Sequence, residues 1–209
     1  MNKQNPNEIL KILKKEYPEA KIALKHKNTY ELLAATILSA QATDTQINKI
    51  TPALFKKYPN IKLLSKARLN ELEKLIYSSG YYRIKAKRLK SMAQAIIINF
   101  NGKIPDDIED LIKIPGVGRK TANVVLHSAF NKTQGIVVDT HVIRLSNLLG
   151  LTKNKNPEKI EKDLMKIFKK QDWGFISIAL ILHGRKICIA RRPKCKDCKL
   201  NKICPSKKV

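Results

Sequence analysis

Apolar residues recur along this chain at steps of three and four, the spacing of a helix face rather than a strand face. Ala86, Leu89, Ala93, Ile97 and Phe100 form one such stripe. Ala122, Val125, Leu126 and Ala129 form a second, and Phe175, Ile178, Ala179 and Leu182 a third. Sustained alternation is absent, and Gly135–Val138, the single β-like run, is too brief to found a sheet. Helix starts fall at Thr29, Asp44, Asp106, Asp139 and Pro157, and breaks at Pro18, Pro59, Gly80, Gly102 and Gly150. These signals predict an all-α protein of about ten short helices. The break near Lys132–Gly135 reads as a seam. A compact run of helices begins near Ile22 and ends there, and a helical segment continues beyond it. An N-terminal helix over Pro6–Tyr17 suits either group.

Composition narrows the class. With 209 residues, 43% of them hydrophobic, the chain has enough material for one large domain or two small ones, and a disordered protein is excluded. No apolar run approaches the length of a membrane span. The start, MNKQNPNEILKIL, has no apolar secretory core, so a reducing cytoplasm is expected. The balance of 42 basic against 17 acidic residues, a net +25, points to a polyanion partner, most plausibly nucleic acid. Lys outnumbers Arg 34 to 8, the bias of an AT-rich genome, and that accounts for part of the charge.

Between helical Ile108–Ile112 and helical Arg119–Phe130 stands Ile114-Pro115-Gly116-Val117-Gly118. Pro115 fixes its own φ, while Gly116 and Gly118 permit positive φ and bare backbone N–H groups. The next helix turns its positive end to the same side, making a seat for an anion such as a backbone phosphate. A lone GxG would be an ordinary loop. The longer string, from Leu111 through Ile114–Gly118 to Lys120-Thr121-Ala122, is the helix-hairpin-helix motif of DNA repair proteins. Lys120 lies in the first turn of the second helix. Among 34 lysines it reads by default as a solvated charge. A helix N-terminus disfavours an ammonium, however, and a neutral lysine amine is a nucleophile able to form a Schiff base with a sugar carbon.

All four cysteines, Cys188, Cys195, Cys198 and Cys204, fall within 17 residues and are interleaved with Arg191, Arg192 and Lys194. Such clustering argues for one metal centre pinning a basic loop rather than for a disulfide framework. Structural zinc more typically takes two paired C-x-x-C arms, and here only Cys195 and Cys198 are so spaced.

Four strings together resemble the endonuclease III family of bifunctional DNA glycosylase/abasic-site lyases. They are Leu38-Ser39-Ala40-Gln41-Ala42-Thr43-Asp44, Ile114–Val125, Val138-Asp139-Thr140-His141-Val142, and the C-x6-C-x2-C-x5-C tail. The resemblance implies two all-α lobes with DNA gripped in the cleft between them. One is a central six-helix barrel-like domain over 22–132, with its helix-hairpin-helix at about 108–130. The other joins 1–21 to 133–209 and carries one [4Fe–4S] cluster on the cysteine loop 188–204. It implies excision of oxidised pyrimidines from duplex DNA by a monomeric, nucleoid-associated enzyme, followed by β-elimination at the abasic site. Lys120 would attack C1′ of a nucleotide flipped from the duplex. Asp139, one residue further from Lys120 than the family spacing, would take its proton. Gln41 would fill the gap left by the flipped base, or else simply end a helix. Tyr81 stands where the family more familiarly has an aliphatic wedge, with packing under its turn as the competing role. Gly116, Gly118, His141, Arg191, Arg192 and Lys194 would contact DNA, although a structural role suits His141 equally. Two alternatives are a non-catalytic iron–sulfur DNA-binding module and an adenine-specific relative. Retention of both Lys120 and Asp139 speaks against the first, and Lys120 itself against the second.

Overall fold

The computed structural model describes residues 5–208, and among them all regular structure is helical. Eleven α-helices occur: α1 (Pro6–Glu16), α2 (Thr29–Leu38), α3 (Asp44–Lys57), α4 (Ile61–Ser65), α5 (Leu69–Ile76), α6 (Tyr82–Phe100), α7 (Ile108–Leu111), α8 (Arg119–Phe130), α9 (Thr140–Leu148), α10 (Pro157–Ile167) and α11 (Trp173–Lys186). Short polar caps start most of them. Asn5 accepts from the N–H groups of Asn7 and Glu8, Asn28 from Glu31, Thr43 from Gln46 and Asn156 from Glu158 and Lys159. The Gly135–Val138 run forms no strand: Gly135 lies in a bend and the next three residues are irregular. Asp106 was expected to start a helix; Asp107 does so instead, its side chain accepting from Asp110, while Asp106 pairs with Lys132.

The chain divides into two compact units. Ile22–Lys132 forms one, built around α2. This helix is apolar on every side, with Tyr30, Leu32, Leu33, Ala35, Ile37 and Leu38 all buried, so it must run through a core rather than over one. It packs on α3, α6 and α8, while α6 also covers α4 and α5. The unit holds seven α-helices, two of which, α4 and α7, are little more than a turn, and a short 3₁₀ turn at Tyr77–Ser79.

The second unit joins Met1–Lys21 to Thr133–Val209. Here α11 is the central helix, in contact with α1 and α9. Its buried face is Ile176, Ala179 and Leu180, with Phe175 and Leu182 only partly covered. The stripe expected through Ile178 is therefore rotated by about one position, because a helix apolar all round has no single face to read. Ile9, Leu13, Val142, Leu145, Ile160 and Leu164 complete this core, and Cys188, Cys198 and Cys204 pack against its edge.

Candidate active site and metal centre

In the 22–132 unit the glycine turn is anchored from below. Ile114 and Val117 are buried, and Val117 donates its N–H to the Ile114 carbonyl at 3.0 Å. Gly116 takes φ +84, and a Cβ added there would sit 3.3 Å from Cβ of Arg88, so both backbone and space call for glycine. Gly118 departs from expectation: its φ is −90, and it serves as the N-cap of α8. Its value is the missing side chain, since nothing lies within 4 Å of a Cβ there and no side chain caps the helix. The N-terminus of α8 thus lies without a side-chain cap in an exposed turn, a setting suited to an anion. Lys120 is exposed in that first turn, while Ala122, Val125 and Leu126 hold the same helix in the core.

Gln41 and Tyr81 share an unusual backbone. Gln41 does not itself end a helix: α2 stops at Leu38, and Gln41 lies beyond it at φ 54, exposed. Tyr81 has φ 48 and follows Gly80 at φ 69. Left-handed φ is rare for aromatic residues and marks a strained position. Tyr81 is 65% exposed, so packing under the turn is not its role. Tyr82 takes that place, partly buried against the core with its ring 4.8 Å from that of Tyr77.

In the other unit Asp139 is the N-cap of α9. Its Oδ1 accepts from the N–H of His141 at 2.8 Å and of Val142 at 2.9 Å, and the residue is half-buried. Both bonds fall on one oxygen, which leaves Oδ2 outside the cap. His141 packs over Gly184 of α11, where an added Cβ would come within 2.9 Å of its Nδ1. Gly184 therefore has no room for a side chain, and its bareness lets His141 of α9 pack closely on α11.

Around the cysteine loop the chain encloses a cavity of ≈ 290 Å³, lined by all four cysteines together with Leu145, Leu148, Leu149, Ile187 and Leu200. The cysteines are free thiols, each half-buried. Burial pushes the Cys198 and Cys204 thiols up from their ordinary range, so thiolates here call for a cationic partner. Among the described residues no group of three or more His, Cys, Asp or Glu side chains is disposed to hold a lone metal ion. The donor set offered around this one cavity is four thiols, the chemistry of an iron–sulfur group. Two neighbours went unnoticed in the sequence. Arg144 directs Nη1 at Cys188 Sγ (3.6 Å) and Nη2 at the Gly184 carbonyl (3.3 Å). His183 sets Nε2 3.4 Å from Cys198 Sγ, and its Nδ1 lies 3.0 Å from the Tyr17 hydroxyl. Burial, and secondarily Arg144, lowers the pKa of His183 to about 4, so it stands neutral beside the sulfur. Arg191, Arg192 and Lys194 are all exposed on the same loop.

Residues 34–170 match the model of the HhH-GPD superfamily base excision DNA repair protein. Endonuclease III of Synechocystis sp. is 50% identical over 98% of this chain and 93% of its own length. That of Bacillus subtilis is 42% identical over 90% and 86% respectively. Among solved structures, a non-covalent endonuclease III–DNA complex aligns with a TM-score of 0.91 at 41% identity, over 96% of this chain and 94% of the other. A trapped endonuclease III–DNA covalent intermediate aligns at 0.92 and 40%, over 99% and 97%. By sequence and by fold, the chain belongs to the endonuclease III family of base-excision DNA repair glycosylase/lyases.

Proposed function

We propose that this enzyme removes oxidised pyrimidines from duplex DNA and then cleaves the strand at the abasic site, with Lys120 as nucleophile. The observation that carries this reading is the exposed Lys120 in the first turn of α8, directly after an uncapped glycine turn. That turn seats a backbone phosphate on N–H groups without reading base sequence. The amine it orients is then held close to the sugar of the same strand. Lys120 Nζ gives its proton to the Asp139 carboxylate and attacks C1′ of a flipped-out nucleotide. The C1′–Nζ bond forms as the glycosidic bond breaks and the base leaves with its electron pair. Opening of the sugar ring gives the Schiff base. Loss of a C2′ proton then expels the 3′ phosphate, which is the lyase step. Gln41 and Tyr81 occupy the gap in the stack, and Arg191, Arg192 and Lys194 grip phosphate.

Cys188, Cys195, Cys198 and Cys204 hold one [4Fe–4S] cluster, whose role is to pin the basic loop. The supporting observation is the set of four free, half-buried thiols around one cavity. When bound, the cluster supplies the positive iron core that such desolvated sulfurs require.

A panel of duplexes, each bearing a different modified base, tests substrate class. Oxidised pyrimidines should be cleaved and intact or alkylated bases spared. Lys120→Ala should lose excision and lyase activity together while duplex affinity stays within a few-fold. Cleavage by that variant at wild-type rate would refute the assignment of the nucleophile.

A further inference from the structure

Lys85, near the start of α6, is only 2% exposed, and its ammonium donates to the Ser79 carbonyl at 2.6 Å. Two effects oppose a charge at this place. Burial draws its pKa below the ordinary lysine range, and the positive end of α6 is close by. A methionine would fill the same space beside Ala86 and Leu89 without a buried charge. Packing of the helical unit therefore gives no reason for an ammonium here.

What the ammonium holds does give one. Ser79 ends the short 3₁₀ turn Tyr77–Ser79 and is followed at once by Gly80 and Tyr81, both at positive φ. Lys85 grips this segment twice: its backbone N–H donates to the Tyr81 carbonyl at 3.0 Å, and Nζ holds Ser79. From α3, Gln46 Nε2 braces the same turn at Ser78 Oγ, 2.7 Å away. A strained aromatic conformation persists only where its surroundings over-determine it. These bonds do so, and the Tyr81 ring is left standing in solvent.

We propose that Lys85 is a positioning residue: its buried ammonium locks the Ser79–Tyr81 turn so that the Tyr81 ring is presented, already ordered, for insertion into a duplex. The inference rests on reading Tyr81 as a wedge. Ordering the ring in advance removes the entropy of fixing it at the moment of insertion, so its loss falls on base extrusion and not on phosphate binding.

The test uses the full-length holoprotein and a duplex with 2-aminopurine beside a tetrahydrofuran abasic analogue. Its fluorescence reports extrusion, alongside duplex Kd and melting temperature. Lys85→Met should reduce extrusion about tenfold with Kd changed less than about threefold, the scale of a misplaced contact. Lys85→Arg, which keeps a donor for Ser79, should retain most of the signal. Lys85→Met/Tyr81→Ala should be no worse than Tyr81→Ala, because the lysine acts through the ring. Full additivity of the two losses, or normal extrusion in Lys85→Met, overturns the proposal while leaving the wedge standing. Normal extrusion in Tyr81→Ala instead refutes the wedge reading, and the positioning role falls with it.

Discussion

At Asp139 a single carboxylate oxygen already accepts two backbone N–H groups, so a structural duty and a chemical one share the side chain. Substitution separates them. Asn keeps an N-cap oxygen but has no charge, whereas Ala loses both. Asp139→Asn should therefore keep its stability within about 0.5 kcal/mol and lose most excision activity, while Asp139→Ala loses the activity and a further ~1 kcal/mol of stability. Thermal melting beside single-turnover excision checks this, and an active Asn variant would leave Asp139 with the cap alone. The places of Lys120 in the first turn of α8 and of Asp139 at the cap of α9 were both legible in the sequence, because each sits in a short string whose neighbours fix its context. Arg144, His183 and Lys85 were not. The partners of Arg144 and His183 lie 44 and 15 residues away at sulfur, and Lys85 matters only because a fold buries it. No local pattern distinguishes such a lysine from 33 others.

At the scale of an element, the hairpin leaves the N-terminus of α8 without a side-chain cap. Gly118 has ordinary φ and open space, so a serine fits there and would accept the N–H groups of α8 itself. Gly118→Ser should raise stability by a few tenths of a kcal/mol and yet weaken duplex binding, since the hydroxyl fills the phosphate seat. Melting and fluorescence anisotropy would move in opposite senses. Loss of stability together with unchanged affinity would show that no anion sits there. The sequence showed the turn and the bounds of α8, but it gave both glycines the same task. Gly116 needs its positive φ, and Gly118 needs only its bareness. Likewise Asp107 rather than Asp106 caps α7, because one residue of register decides which oxygen faces the helix end.

At the scale of the whole molecule, two units each carry their own core, and the chain enters the second one twice, through α1 and again after Lys132. In that unit the cysteine loop lines a cavity walled by Leu145, Leu149 and Leu200, and Cys188, Cys198 and Cys204 are also core contacts. Cys198→Ser should accordingly lose iron and its visible absorbance, lower the melting temperature and weaken duplex affinity together. A variant that loses its iron but keeps full stability and affinity would remove the pinning role. Four cysteines in 17 residues made a shared cysteine site legible, and the excess of +25 pointed to a polyanion partner. The cavity's apolar walls, drawn from α9 and the loop after α11, became visible only with the tertiary fold.

The central claim is that the Lys120 amine becomes bonded to a deoxyribose carbon. Reduction of the enzyme with borohydride in the presence of abasic duplex, followed by proteolysis and peptide mass spectrometry, reads that bond directly. The added sugar mass should lie on Lys120, in the peptide that opens α8; its appearance on any other amine, with Lys120 unmodified, would contradict the account.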